Sequence, residues 1–189
     1  NDMPTNFIAK NKDDSEMFTP ERSAIALDRV RHVGDPIAII IAESIEFAKN
    51  ASELIFADIE EIPSVTSCIE AIKDNAPQVW EGTNNRICFD WDMGKKDKVD
   101  NAFIHAESIV EIELINNRIV PNSMETRGAV ANYNIDENKY ELRCSSQGVH
   151  SLRDRISDVL NIEPKDLRVI TTDVGGGFGM KIFNYPEYI

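Results

Sequence analysis

Four of the nine glycines fall within five positions, in Asp173-Val174-Gly175-Gly176-Gly177-Phe178-Gly179-Met180-Lys181. Glycine at that density signals backbone angles closed to other residues, or close approach of the backbone to another group. Such a turn can aim several N–H groups at an anionic or oxo-bearing cofactor. It can equally be a tight turn with no ligand. Phe178 favours the first reading, because a large apolar ring is better suited to shielding a site than to an exposed turn. Nucleotide motifs do not match: Gly-x-Gly-x-x-Gly fails at Met180 or Ile182, and Gly-x-x-x-x-Gly-Lys fails at Met180.

Other constellations are sparser. Gln147, at the mouth of a helical pattern, is either a side-chain donor to a ligand or an ordinary helix-start residue. Glu125 and Arg127 form an ion pair or belong to a site, paired structural charges being the commoner case. His150 has no neighbouring Ser or Cys nucleophile, so a hydrolase triad has no support. Arg153, Arg155 and Arg168 read as a solvated face. Cys68, Cys88 and Cys144 are odd in number and lack a Cys-x-x-Cys spacing, as expected of reduced thiols in a cytoplasmic protein. His32, His105 and His150 are equally scattered. No metal ligands are assigned within the chain.

The 189 residues carry a net charge of −13. That charge repels polyanions, so bulk binding to nucleic acid or anionic lipid is disfavoured. It is unevenly placed. Residues 1–109 hold 11 basic and 21 acidic side chains, whereas residues 139–181 hold seven and six. No run of 18 apolar residues exists to span a membrane, and the first residues show no signal-peptide pattern. Asn1 in place of an initiator Met hints at a chain processed or cut from something longer.

Around these residues the elements fall into two groups. Residues 1–20 read as an irregular N-terminal segment. Ile37–Ala42 predicts a strand buried on both faces, and Ser44 caps a helix over roughly 45–55. Phe56 to Ile62 predicts a second strand, followed by a short helix over 66–74. Asp90 to Asp100 reads as a charged connection. Beyond it, Val110–Leu114 alternates as a half-exposed strand. Two strands, about 128–135 and 139–145, are joined by Asp136-Glu137-Asn138. Helical spacing predicts a helix over 147–160, closed by Asn161 and Pro164. A strand over 167–172 then runs into the glycines.

The segments Val120–Ala131, Ser145–Arg153, Arg168–Lys181 and Tyr185–Tyr188 follow one another in fixed order. Together they resemble the molybdenum-binding large subunit of the xanthine dehydrogenase, aldehyde oxidase and aerobic carbon monoxide dehydrogenase family. Asp28–Ala38 is similar to the α/β-hammerhead domain of those subunits. The resemblance implies an α+β architecture. A hammerhead domain would occupy 21–100, and the first β-hairpin–helix–strand part of a molybdopterin-binding domain would occupy 101–189, truncated.

Gly176, Gly177, Phe178 and Gly179 would then face the oxygen ligands of molybdenum and the pterin, with Gln147 hydrogen-bonding beside them. The implied chemistry is oxidation of a carbon monoxide-, aldehyde- or heterocycle-type substrate with water as oxygen source. Electrons would pass to [2Fe-2S] clusters and FAD on partner subunits or domains. In the family, the catalytic Glu lies near the far end of a much longer subunit, so no catalytic residue is assigned here. The chain alone is expected to hold no cofactor, to be inactive and to self-associate. Ile182 stands where purine and aldehyde oxidising members carry Glu after the Gly-Lys, which argues against xanthine. A non-catalytic cofactor-binding or subunit-assembly module is the alternative.

Overall fold

Lys139–Cys144 (β2) is the middle of a three-stranded sheet. Ala129–Asn134 (β1) pairs with it antiparallel, Ala129 opposite Cys144 and Asn134 opposite Lys139. On its other side Leu167–Ile170 (β3) runs parallel, Tyr140 opposite Leu167 and Arg143 opposite Ile170. The computed structural model describes residues 9–83 and 86–189. The β1–β2 hairpin turns where expected, with Asn138 in the left-handed region at φ 52°, a conformation Asn tolerates better than most residues. Tyr133 and Tyr140 face each other across it, ring centres 4.7 Å apart.

A parallel pair needs a crossover, and Val149–Leu160 (α4) supplies it. Gly148 caps its start, two residues later than the spacing predicts, and Asn161 closes it in the left-handed region at φ 53°. Leu152 and Ile156 turn inward from α4 onto Leu142, Cys144 and Leu167. Tyr188, from the 3-10 turn Pro186–Tyr188, completes this small core. Ile162, Val169 and Tyr185 pack against its rim.

The first half of the chain departs from expectation. Ile45–Ser52 (α1) begins as predicted, Ser44 Oγ accepting the Phe47 N–H at 3.2 Å. Cys68–Ala71 (α2) is a single turn capped by Ser67. The segments predicted as strands, 37–42, 56–62 and 110–114, enter no ladder among the described residues, and their apolar side chains are largely exposed. Their patterns encode a face to be covered, but pairing requires a neighbouring strand that the described residues do not supply. The charged connection is also corrected. Lys96–Ile104 (α3) is a helix with Lys96 and Asp100 ion-paired one turn apart, so its charges are helix-surface partners.

Residues 1–8 of the predicted irregular segment lie outside the described residues. Residues 9–20 form a closed loop rather than a free tail, with Lys10 bridged to Glu16. It docks on residues 88–90, where Lys12 N–H meets the Asp90 carbonyl at 2.8 Å and Phe18 N–H the Cys88 carbonyl at 2.7 Å. The 28–38 motif folds back on itself too. Asp35 Oδ2 accepts the Arg31 and His32 N–H groups across a turn at Gly34, and Arg31 lies over the Trp80 ring at 4.1 Å.

The accessible surface is 15733 Å². A compact monomer of this length exposes about 9,100 Å². Apolar side chains along 37–62 and 103–120 account for much of the exposed surface, among them Ile41, Phe56, Val110 and Ile115. Among the described residues no helix is long and apolar enough to cross a membrane.

Candidate cofactor site

The two parallel strands end side by side, and both candidate segments begin there. Gln147 follows β2 and the glycine loop follows β3, at the carboxyl ends where parallel α/β units bind ligands. A cleft of about 260 Å³ opens at the same ends, lined by Glu125, Arg143, Ser145 and Asp173 among others.

Gln147 is brought against the loop. Its Oε1 accepts the N–H of Gly179 at 3.0 Å and that of Lys181 at 3.1 Å, while its own N–H donates to the Lys181 carbonyl at 3.0 Å. The side-chain oxygen is therefore occupied within the protein. Nε2 makes no hydrogen bond among the described residues and is the atom left to donate outward. Only glycine at 177 leaves Gln147 where it is, since a Cβ there would sit 2.4 Å from Cδ and Oε1 of Gln147.

Glu125 and Arg127 are not paired with each other, contrary to one of the two sequence expectations. Glu125 Oε2 accepts from Lys181 Nζ at 2.7 Å, Gly175 N at 2.7 Å and Ser145 Oγ at 2.8 Å. Arg127 instead pairs with Glu187 at 2.8 Å. Lys181, Ser145 and the role of Glu125 escape a reading by spacing, because their contacts cross 20 to 56 residues.

The Lys181 ammonium, with help from the Ser145 hydroxyl and the Gly175 amide, holds the Glu125 carboxyl down to about 2 from its ordinary 4.5. Its contribution to stability is thus complete above about pH 4.5 and is lost as pH falls toward 2. Acidification from pH 6 to pH 3 is expected to lower the protection of the Gly175 amide, its exchange being taken relative to the unstructured-peptide rate at each pH, before that of the α4 amides. Hydrogen exchange followed by NMR checks this, and simultaneous loss at both places would contradict it.

The loop's remaining donors are the informative ones. Gly175, Gly179 and Lys181 donate to side-chain oxygens, and Met180 N–H donates to the Gly177 carbonyl at 2.8 Å. Gly176, Gly177 and Phe178 have no acceptor for their N–H groups among the described residues. Gly176, Phe178 and Gly179 all adopt positive φ, at 98°, 50° and 84°, left-handed conformations of the kind found in anion-binding nests. For Phe178 this conformation is strained. Its ring lies against Gly176 and is otherwise 72% exposed.

Cys144 is buried beneath this surface, and burial pushes its thiol up, which disfavours the thiolate a reactive cysteine needs. Among the described residues no group of three or more His, Cys, Asp or Glu is arranged to hold a metal ion. A cofactor held here would be gripped through its own oxygen atoms rather than by protein ligands to a metal.

Residues 79–189 match the molybdopterin cofactor-binding domain, and the chain belongs to that family. Particular relatives share most of its length. It is 29% identical over 180 residues to the carbon monoxide dehydrogenase large chain of Hydrogenophaga pseudoflava, covering 88% of this chain and 22% of the relative. It is 32% identical over 168 residues to the nicotine 6-hydroxylase large subunit of Paenarthrobacter nicotinovorans, covering 86% of this chain and 20% of the relative. Its fold superposes on the crystal structure of quinoline 2-oxidoreductase from Pseudomonas putida 86 with a TM-score of 0.78 and 26% identity, over 91% of this chain and 22% of that one. The chain thus spans about a fifth of the length of these relatives.

Proposed function

We propose that this chain is part of the large subunit of a molybdenum hydroxylase, with a hammerhead domain from residue 21 followed by the start of the molybdopterin-binding domain, whose family match reaches back from the expected boundary at 101 to residue 79. The observation that carries the reading is the run of three unpartnered N–H groups at Gly176, Gly177 and Phe178, beside Gln147 Nε2. These are neutral donors grouped in three successive residues, suited to the oxygen ligands of molybdenum and to the pterin. When bound, the cofactor supplies oxidation of a small molecule with water as oxygen source. The chain's own part is to hold and orient: the amides fix the oxygen ligands, Gln147 Nε2 donates beside them, and Phe178 shields the site from water.

Ile182, directly after Lys181, offers no carboxylate to a purine, so the substrate is of carbon monoxide, aldehyde or non-purine heterocycle type. The three relatives described above fall within that range by name. Electrons leave to [2Fe-2S] clusters and FAD on partner subunits or domains in the cytoplasm. The exposed apolar side chains along 37–62 and 103–120 are covered by the remainder of the subunit, and in its absence the chain self-associates.

Elemental analysis and pterin fluorescence test the reading. The protein purified with its partners is expected to carry close to one molybdenum per large subunit, and residues 1–189 made alone are expected to carry none and to oxidise nothing. A partnered protein free of molybdenum would sink the cofactor assignment. Stoichiometric metal on residues 1–189 alone would sink the view that they are an incomplete site.

A further inference from the structure

The one cation in the glycine loop is not available to a ligand. Lys181 has a side chain only 1% exposed, and its ammonium is paired to Glu125 Oε2. Enclosing an ammonium is costly without such a partner. The same oxygen takes the Gly175 N–H and the Ser145 hydroxyl. The start of the loop, its end and the residue after β2 therefore meet on a single atom. A turn that only reversed the chain would bond its own amides. In this loop only Met180 does so, those of Gly175, Gly179 and Lys181 are drawn to Glu125 and Gln147, and the three in the middle have no acceptor among the described residues.

The segment that carries Glu125 touches the loop repeatedly. A Cβ on Gly175 would meet Glu125 Cβ at 2.6 Å, and one on Gly176 would meet Ser123 Cβ at 3.0 Å. Gly175 is thus required by the protein's own close approach, and Gly176 sits in tight contact with the same segment, whatever ligand the loop takes. Arg127 extends the contact. Besides pairing with Glu187, its guanidinium lies 3.8 Å over the Tyr185 ring, and the Tyr185 hydroxyl donates to the Met180 carbonyl. Ser123, Glu125 and Arg127 alternate along the segment, and all three meet residues 175–187.

We infer that Ser123–Arg127 is a strap that sets the shape of the glycine loop, with Glu125 and Lys181 as positioning residues that keep the amides of Gly176, Gly177 and Phe178 turned toward the ligand. The inference rests on the reading of this loop as the cofactor cradle. Glu125→Gln keeps the volume and removes the charge facing Lys181. Lys181→Met removes the buried cation and leaves an apolar chain, which guards against a simple folding failure.

Both variants are made in the protein assembled with its partners, and two signals are read. Amide exchange at Gly175 and Gly179 is expected to rise about tenfold or more, with Ile156 and Ser157 in α4 unchanged. The molybdenum electron paramagnetic resonance spectrum of the molecules that remain loaded is expected to shift. Unchanged exchange in both variants would overturn the strap. Faster exchange with an unshifted spectrum would reduce the pair to a structural role and overturn its positioning. If the parent protein holds no molybdenum the cradle reading fails by itself, and exchange still decides the strap.

Discussion

Replacing Gly177 with Ala is expected to lower bound molybdenum about tenfold or more while leaving α4 and the sheet folded. A Cβ at 2.4 Å from two atoms of Gln147 is far inside any tolerable contact, so the glutamine must swing out. With it go the hydrogen bonds from Gly179 and Lys181. Losing two such bonds costs about 1 kcal/mol each, and the swing itself is cheap because the displaced atoms are the far end of a flexible side chain. The donor expected to meet the cofactor leaves at the same time. Metal analysis of the purified variant, with helical circular dichroism as the folding control, checks the result. A variant that retains full molybdenum would show that Gln147 does not organise the site.

The largest expected loss of stability lies elsewhere, at Ile156. It is 1% exposed at the centre of a core of six buried residues, packed with Leu142, Leu152 and Leu167. Ile156→Ala is expected to cost about 2–5 kcal/mol, and Ile156→Val about 0.5–1.5 kcal/mol. Against a typical total of about 5–15 kcal/mol, the first change removes a large part of what holds the sheet to α4. Leu54→Ala serves as the contrast, since Leu54 is exposed and its loss should register within about 0.5 kcal/mol. Guanidinium unfolding followed at 222 nm measures all three. Equal effects at 54 and 156 would mean that the core is not where the packing puts it.

These two sites also mark what the sequence made legible. The hairpin, α4 and β3 were readable because their signals are local: alternation, a turn ending in Asn138, helical spacing closed by Asn161. A local cap likewise announced α1 through Ser44. The extended segments at 37–42, 56–62 and 110–114 show the limit of such signals. An apolar pattern states that a face will be covered but not by what, and no ladder partner lies among the described residues. α3 was hidden for a different reason. Its charges suggested a linker, although Lys96 and Asp100 are spaced to meet on one helix face.

At the candidate site, the glycine cluster and Gln147 stood out by residue type and by the order of the motifs. Which atom of Gln147 is free was not readable. That depends on two hydrogen bonds closed across more than thirty residues. Glu125 was visible only as one of two neighbouring charges, and nothing nearby in the chain indicated Lys181 as its partner. Distance in sequence concealed both.

The meeting of three donors on one carboxylate oxygen also fixes what can be exchanged between relatives. Ser123–Arg127 and Gly175–Lys181 are fifty residues apart, yet a change in either alters the contact surface of the other. Energies at such a shared atom do not add. The two stretches therefore behave as one unit of inheritance. A hybrid that borrows the glycine loop from a relative must borrow the strap with it, or the imported glycines will meet side chains they were not shaped to pass.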